Sequence, residues 1–184
     1  MLKEDKTLIT LHSILYILNR LGGKSDFLKV FKILYFAEMK HLSKYGRMFT
    51  ENTYNALPNG PVPDYAYEAL RFLRGDEGFL DFEDAQIFKE NLRVYNNYHI
   101  TSLSSEDLDE LSISEIKCLD ESINDNKDLS FGQLSEKSHG PAWSSVPVLF
   151  NEIPFEEIAK EANMNEDMIK YALEQKDLKR ASFL

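Results

Sequence analysis

The stretch that decides the fold spans residues 27–63 and reads FLKVFKILYFAEMKHLSKYGRMFTENTYNALPNGPVP. It begins with a nearly unbroken apolar run, interrupted only by Lys29 and Lys32. Because these lysines are three residues apart, they can share one solvent-facing strip of a helix. Gly46 follows and marks the C-terminal end of that helix. We therefore predict a buried central helix over residues 27–45, with other elements packed around it.

The second half of the stretch predicts a short strand and a fixed corner. Residues 53–57 have an extended pattern, and three prolines surround Gly60 within residues 58–63. Proline fixes φ and glycine permits tight turns, so the backbone direction is set before the next helix. Residues 79–102 show apolar segments without an evident helical period. We expect the 53–57 strand to join segments of 79–102 in one small antiparallel sheet.

Two ordered motifs are similar to those of a known family. The first comprises KILYFAE at residues 32–38, HL at 41–42, YGR at 45–47, YNAL at 54–57 and GPVP at 60–63, and the second is LSEKSHGPAW at 134–143. Over residues 8–146 the chain resembles the Panacea domain, also called the SocA-like or phage-associated antitoxin family. Phe31, where a polar residue is common, and Pro58, ahead of the turn, depart from the family pattern without altering the motif residues.

The resemblance implies a bacterial or phage antitoxin whose partner is a co-encoded toxin protein that it binds and neutralises directly. In some relatives the domain instead delivers the toxin to an ATP-dependent protease as an adaptor. The motif residues are candidates for partner binding: Lys32, Tyr35, His41, Tyr45, Gly46, Tyr54, Asn59, Gly60, Pro61, Ser138, His139 and Trp143. Tyr45, Tyr54, Asn59, Pro61, His139 and Trp143 are candidates for a recognition surface, and each also has an explanation as a core or turn residue.

The composition is that of an ordinary globular protein, with 43% hydrophobic and 28% charged residues in 184. We expect an α+β, predominantly α-helical single domain with a small antiparallel sheet. Residues 1–150 would form the Panacea-like domain, and 151–184 a helical extension packed on it. The first residues lack a signal-peptide pattern, no apolar run is long enough to cross a bilayer, and Cys118 is the only cysteine. These features favour a cytoplasmic protein.

The net charge of −10 is distributed unevenly along the chain. Residues 1–75 carry 11 bases and 7 acids, whereas residues 76–184 carry 10 bases and 24 acids. The acids are concentrated in residues 103–128, whose apolar spacing predicts an acidic amphipathic helix. An acidic surface suits a basic protein partner better than a membrane or nucleic acid. The acids could equally serve solubility alone.

We expect no catalytic site, metal or cofactor. Glu38 and His41 form one half of a di-iron carboxylate motif, whose spacing recurs at Glu136 and His139, but such a site also needs two further carboxylates on facing helices. A Glu–His hydrogen bond or a plain surface pair is the alternative interpretation of these two residues. Ser138 and His139 are adjacent without a nucleophile elbow, so we interpret His139 and Trp143 as a structural pair.

Residues 155–173 resemble a helix-turn-helix, which leaves a DNA-binding regulator as an alternative function. The second helix would begin with Glu166 and Asp167, and residues 152–184 carry eight acids and five bases. Such a helix would approach phosphate against electrostatic repulsion, so nucleic-acid binding is the weaker interpretation. A phage-associated accessory protein is a further alternative. The sequence does not specify the oligomeric state.

Overall fold

The computed structural model describes residues 3–181, and it describes side chains for residues 5–175. The last three residues of the predicted extension 151–184 therefore lie outside the described residues. The helices are α1 (Lys3–Arg20), α2 (Phe27–Tyr45), α3 (Asp64–Arg74), α4 (Phe82–Asn91), α5 (Ile113–Asn126), α6 (Phe131–Ser138), α7 (Pro141–Ser144), α8 (Phe155–Glu161) and α9 (Glu166–Ala181), with a 3-10 turn at Leu108–Glu110. The strands are β1 (Lys24–Asp26), β2 (Tyr54–Leu57), β3 (Gly60–Pro63), β4 (Leu92–Tyr95) and β5 (His99–Ser102). The predicted α+β, mainly helical fold is confirmed.

Helix α2 lies at the centre of the molecule, as predicted. The Asp26 carboxylate accepts hydrogen bonds from the backbone N–H groups of Leu28 and Lys29, which satisfies the first free donors of the helix. Gly46 ends the helix in the left-handed conformation with φ +75°. Most residues between these caps are buried, and the helix contacts α1, α5, α6, α8 and β3. Helix α2 has two buried faces, and each face is part of a different hydrophobic cluster.

The strands form two separate sheets, which corrects the prediction of one. Strands β1, β5 and β4 form a three-stranded antiparallel sheet, whereas β2 pairs with β3 in a separate two-stranded hairpin. The predicted corner at 58–63 is thus a hairpin turn followed by a strand. Gly60, with φ +101°, lets the chain reverse directly into pairing with β2, so the 53–57 segment never reaches residues 79–102.

The sequence predicts short strands in residues 79–102. This prediction is wrong for residues 82–91, which form helix α4. Ala85 and Phe88 are buried at the three-residue spacing of a helix face, and Leu92, the first residue of β4, is buried four positions further on. Alanine is a strong helix former, and it completes a stripe that the larger apolar residues alone do not show. The strand predictions hold for β4 and β5, which the Asn96–Asn97 turn joins with positive φ at both residues.

The acidic segment 103–128 is not one helix. A 3-10 turn precedes α5, which begins after a capping box in which the Ser112 hydroxyl accepts from the Glu115 N–H and the Glu115 carboxylate accepts from the Ser112 N–H. The capping box sets the start of α5 at Ile113. A second capping box, formed by Ser130 and Gln133, is present at the start of α6.

The C-terminal part of the described chain packs on the face of α2 that belongs to the second hydrophobic cluster. Ile158, Ala159 and Ile169 of α8 and α9 are buried there with Tyr35 and Leu42 of α2. The backbone of residues 150–153 also bonds to β2 on the side away from β3. Among the helices of residues 3–181, none is long and apolar enough to span a membrane.

Candidate functional site

Three motifs that are distant in the sequence meet at one place, which we call the motif junction and define as Lys32, Gly60, Pro61, Ser138 and His139. The Lys32 ammonium donates a hydrogen bond of 2.6 Å to the Pro61 carbonyl. A Cβ on Gly60 would overlap the Ser138 hydroxyl and would lie 2.8 Å from Lys32 Nζ. The junction therefore joins α2, the β2–β3 hairpin and the end of α6 at close contact, which only glycine permits at position 60.

Lys32 is fully buried, which corrects its predicted place on a solvent-facing strip beside Lys29. Lys29 is half-buried and donates hydrogen bonds to the carbonyls of Lys127 and Leu129. Burial disfavours the charged ammonium and lowers the pKa of Lys32 to about 7. The sequence carried a usable signal, since the apolar residues on both sides of Lys32 leave little room for a solvent-facing strip.

The burial of Lys32 predicts a stability that depends on pH. Between about pH 7 and 10.5 the unfolded chain holds a proton at Lys32 that the folded chain has lost, so the free energy of unfolding rises with pH across this window. In Lys32→Met that rise is expected to shrink by on the order of a few kcal/mol. Urea unfolding at pH 6–10 measures it, with Lys89→Met, an exposed lysine on α4, as the control. Equal pH profiles for Lys32→Met and the native chain would contradict this expectation.

Trp143 packs against His139 at the outer edge of the motif junction. Their rings stack with centroids 3.9 Å apart and an interplanar angle of 23°. The indole Nε1 donates to the Leu57 carbonyl at 2.9 Å, which fastens α7 to the end of β2. Burial and then the nearby charge of Lys32 lower the pKa of His139, while the Pro58 carbonyl acts in the opposite direction. The indole thus both packs and bonds to the hairpin backbone.

Tyr35 and Tyr54 lie deeper, between α2 and β2. Both are fully buried, and their rings meet edge to face with centroids 5.0 Å apart. Neither hydroxyl has a hydrogen-bond partner among the described residues. Burial raises the pKa of both phenols, and the Glu161 charge adds to the effect at Tyr35. Glu161 itself accepts a 2.6 Å hydrogen bond from the Ala142 N–H and so ties α8 to α7.

Glu38 and His41 bind separate partners, which excludes both a Glu–His hydrogen bond and a plain surface pair. The buried Glu38 carboxylate accepts hydrogen bonds from the backbone N–H groups of Phe49 (2.7 Å) and Thr50 (3.0 Å) and from the Thr50 hydroxyl. Burial raises its pKa to about 7 against the opposing effect of these donors. In residues 5–175, no three His, Cys, Asp or Glu side chains lie together as a group that could hold a metal ion. Glu38 acts here as an anchor for the loop that leads to the hairpin.

The motif residues His41, Tyr45 and Gly46 lie at the C-terminal end of α2. The His41 ring has Nδ1 2.8 Å from the Arg47 carbonyl and Nε2 3.3 Å from the Ser114 hydroxyl, and it packs on Tyr45. Gly46 follows with its N–H bonded to the Leu42 carbonyl. Tyr45 remains 47% exposed at this end of the helix.

The six candidates for a recognition surface differ in exposure. Asn59 and Tyr45 are exposed, and His139 and Trp143 are half-buried. Tyr54 and Pro61 are buried, so they are unavailable for direct contact with a partner in this structure. Their side chains support the hairpin on which Asn59 is exposed.

The uneven charge along the chain is partly balanced in the fold, because the acidic helix α5 faces lysines of α2. Lys44 binds Glu121 at 2.6 Å and Lys40 binds Asp125 at 2.9 Å. Asp120 accepts a 2.7 Å hydrogen bond from the Tyr16 hydroxyl. Part of the acidic charge of residues 103–128 therefore has an internal role.

The family model described as "Antitoxin SocA-like, Panacea domain" matches residues 30–144, which is more than half of the chain. The chain belongs to this family. Comparison with curated proteins and with solved structures gives no match. The matched range starts in α2 and ends with α7, so this SocA-like Panacea domain includes the whole motif junction. Residues 145–184, which include α8 and α9, lie outside it.

Proposed function

We propose that this SocA-like protein is a non-catalytic, cytoplasmic antitoxin that binds a co-encoded toxin protein directly and neutralises it. The observation that carries the proposal is the family match over residues 30–144. The geometry of the motif residues supports it, because they build a rigid junction between α2, the hairpin and α6. A rigid scaffold holds exposed elements in place for a partner, and it loses little conformational entropy on binding.

The absence of catalysis is part of the proposal, and the buried polar groups support it. Lys32 bonds to a hairpin carbonyl, Glu38 bonds to the Phe49 and Thr50 backbone, and His41 lies within hydrogen-bond distance of the Arg47 carbonyl. A catalytic acid, base or nucleophile has to reach a substrate atom. These three side chains are fully or almost fully buried and are engaged by the fold itself.

DNA binding through residues 155–173 has less support. Residues 155–175 contain six acids and only two bases, Lys160 and Lys170. The Lys160 ammonium lies 2.9 Å from carboxylate oxygens of both Glu156 and Glu157. Phosphate contacts supply most of the affinity of DNA-binding proteins, and this surface offers few.

Rescue of growth tests the proposal. The chain is co-expressed with the product of the adjacent reading frame, whose expression alone should arrest growth. We expect rescue by the intact chain, and we expect it to persist with Lys170→Glu, which reverses the charge of an exposed base in the helix-turn-helix-like segment 155–173. Persistence of rescue in a host without ATP-dependent proteases would distinguish direct neutralisation from the adaptor role. Lack of rescue by the intact chain would contradict the proposal.

A further inference from the structure

The segment Val148–Phe150, called the 148–150 loop here, exposes three consecutive apolar side chains. Val148, Leu149 and Phe150 are 60%, 39% and 66% exposed. Isolated apolar residues are common on protein surfaces, whereas an exposed run of three indicates an interaction site. The loop begins at Val148, after α7 has ended at Ser144, and lies beyond the range that the family match covers.

The loop is held in a defined conformation. Phe150 has φ +73°, a left-handed conformation that is uncommon and costly for a bulky residue. The Phe150 N–H donates to the Ala56 carbonyl at 2.7 Å, and the Ala56 N–H donates to the Asn151 carbonyl at 2.9 Å. Strand β2 therefore fixes the loop on both sides of the strained residue. A loop fixed in this way loses little entropy when a partner binds it.

The 148–150 loop and Trp143 are held by neighbouring residues of strand β2. The Trp143 indole donates to the carbonyl of Leu57, and the Phe150 N–H donates to the carbonyl of the preceding residue, Ala56. The exposed turn of Pro58 and Asn59 follows immediately. The loop, the half-buried indole and the exposed Pro58 thus lie on or beside consecutive residues of the hairpin.

The charges around this surface indicate the kind of partner. Residues 138–161 contain four acids, Glu152, Glu156, Glu157 and Glu161, and one base, Lys160, which pairs with Glu156 and Glu157 and leaves the segment acidic overall. Residues 54–63 contain no charged residue at all. An acidic border around an apolar centre complements a basic protein surface, and it repels an anionic membrane.

We propose that the 148–150 loop is the anchor that inserts into an apolar groove, bordered by basic residues, on the protein partner. This inference rests on the proposed function, and it names the surface that the neutralised protein contacts. Glu152, exposed beside the loop, contributes electrostatic attraction at the border.

Two substitutions in the full chain test the anchor, with the purified product of the adjacent reading frame as the probe. Leu149→Ser removes the central apolar side chain of the loop. Phe150→Asn removes the aromatic ring, and asparagine tolerates the left-handed conformation at this position. Each is expected to raise the Kd about thirtyfold or more, as loss of an interface hot spot does. Urea midpoints should stay at or near that of the native chain. Phe79→Ser, at a position 93% exposed, is the matched control and should leave the Kd unchanged.

The outcomes separate the two proposals. A complex with the intact chain that both loop variants retain at unchanged Kd would overturn the anchor and leave the antitoxin proposal standing. No complex with the intact chain would overturn both. A homodimer that the intact chain forms and Leu149→Ser abolishes, seen by sedimentation velocity, would assign the loop to a second copy and overturn the anchor. Loop-dependent binding to vesicles with anionic lipids would overturn it as well.

Discussion

Replacing Glu38 with alanine is expected to lower the free energy of unfolding by about 3–5 kcal/mol. The substitution leaves the N–H groups of Phe49 and Thr50 and the Thr50 hydroxyl buried without their acceptor. A buried donor without a partner costs about 1–3 kcal/mol, and the lost side chain also leaves a cavity. Urea unfolding at a fixed pH measures the change.

The matched control for this prediction is Glu121→Ala, which removes a partly exposed carboxylate that pairs with Lys44. Ion pairs near the surface contribute about 0–1 kcal/mol, so the control should have a small effect. If both variants lost the same small amount, Glu38 would not anchor the loop that leads to the hairpin.

Replacing Gly60 with alanine is expected to destabilise the chain by about 2–4 kcal/mol. The new Cβ would meet the Ser138 hydroxyl and the Lys32 ammonium, both of which are buried. The positive φ of +101° at this position is also energetically unfavourable for alanine. The variant should disturb the motif junction as a unit, since three elements share this contact.

Gly75→Ala separates the two contributions in Gly60→Ala. Gly75 has φ +82° and no heavy atom within 4 Å of the added Cβ, so its substitution measures the backbone cost alone. The difference between the two variants, from thermal or urea unfolding, gives the cost of crowding at the junction. A loss in Gly60→Ala no larger than that in Gly75→Ala would show that the junction yields freely, contrary to this expectation.

The central helix could be predicted because its signals are local. Asp26 caps its start, Gly46 ends it, and the apolar run between them is continuous. The hairpin was harder to predict from the sequence, because the three prolines around Gly60 fit a corner and a β-turn equally well. Helix α4 was missed since Ala85 carries part of its buried stripe.

The candidate site could be located from the sequence, but its roles could not be assigned. The motif residues include Lys32, Pro61 and Ser138, which the structure brings to one junction. The apolar neighbours of Lys32 indicate burial, but its acceptor Pro61 lies 29 positions later and cannot be identified from the pattern of α2. Glu38 shows the same limit, because its acceptor role depends on a loop that folds back 11 residues later.

Direct binding of the co-encoded protein tests the antitoxin proposal most directly. The purified chain is titrated into the purified product of the adjacent reading frame in a calorimeter, with no protease present, and the toxic activity of the mixture is assayed. Direct neutralisation predicts a saturable complex of fixed stoichiometry, with toxicity abolished at the equivalence point. No heat of binding and undiminished toxicity at a severalfold excess of the chain would contradict it.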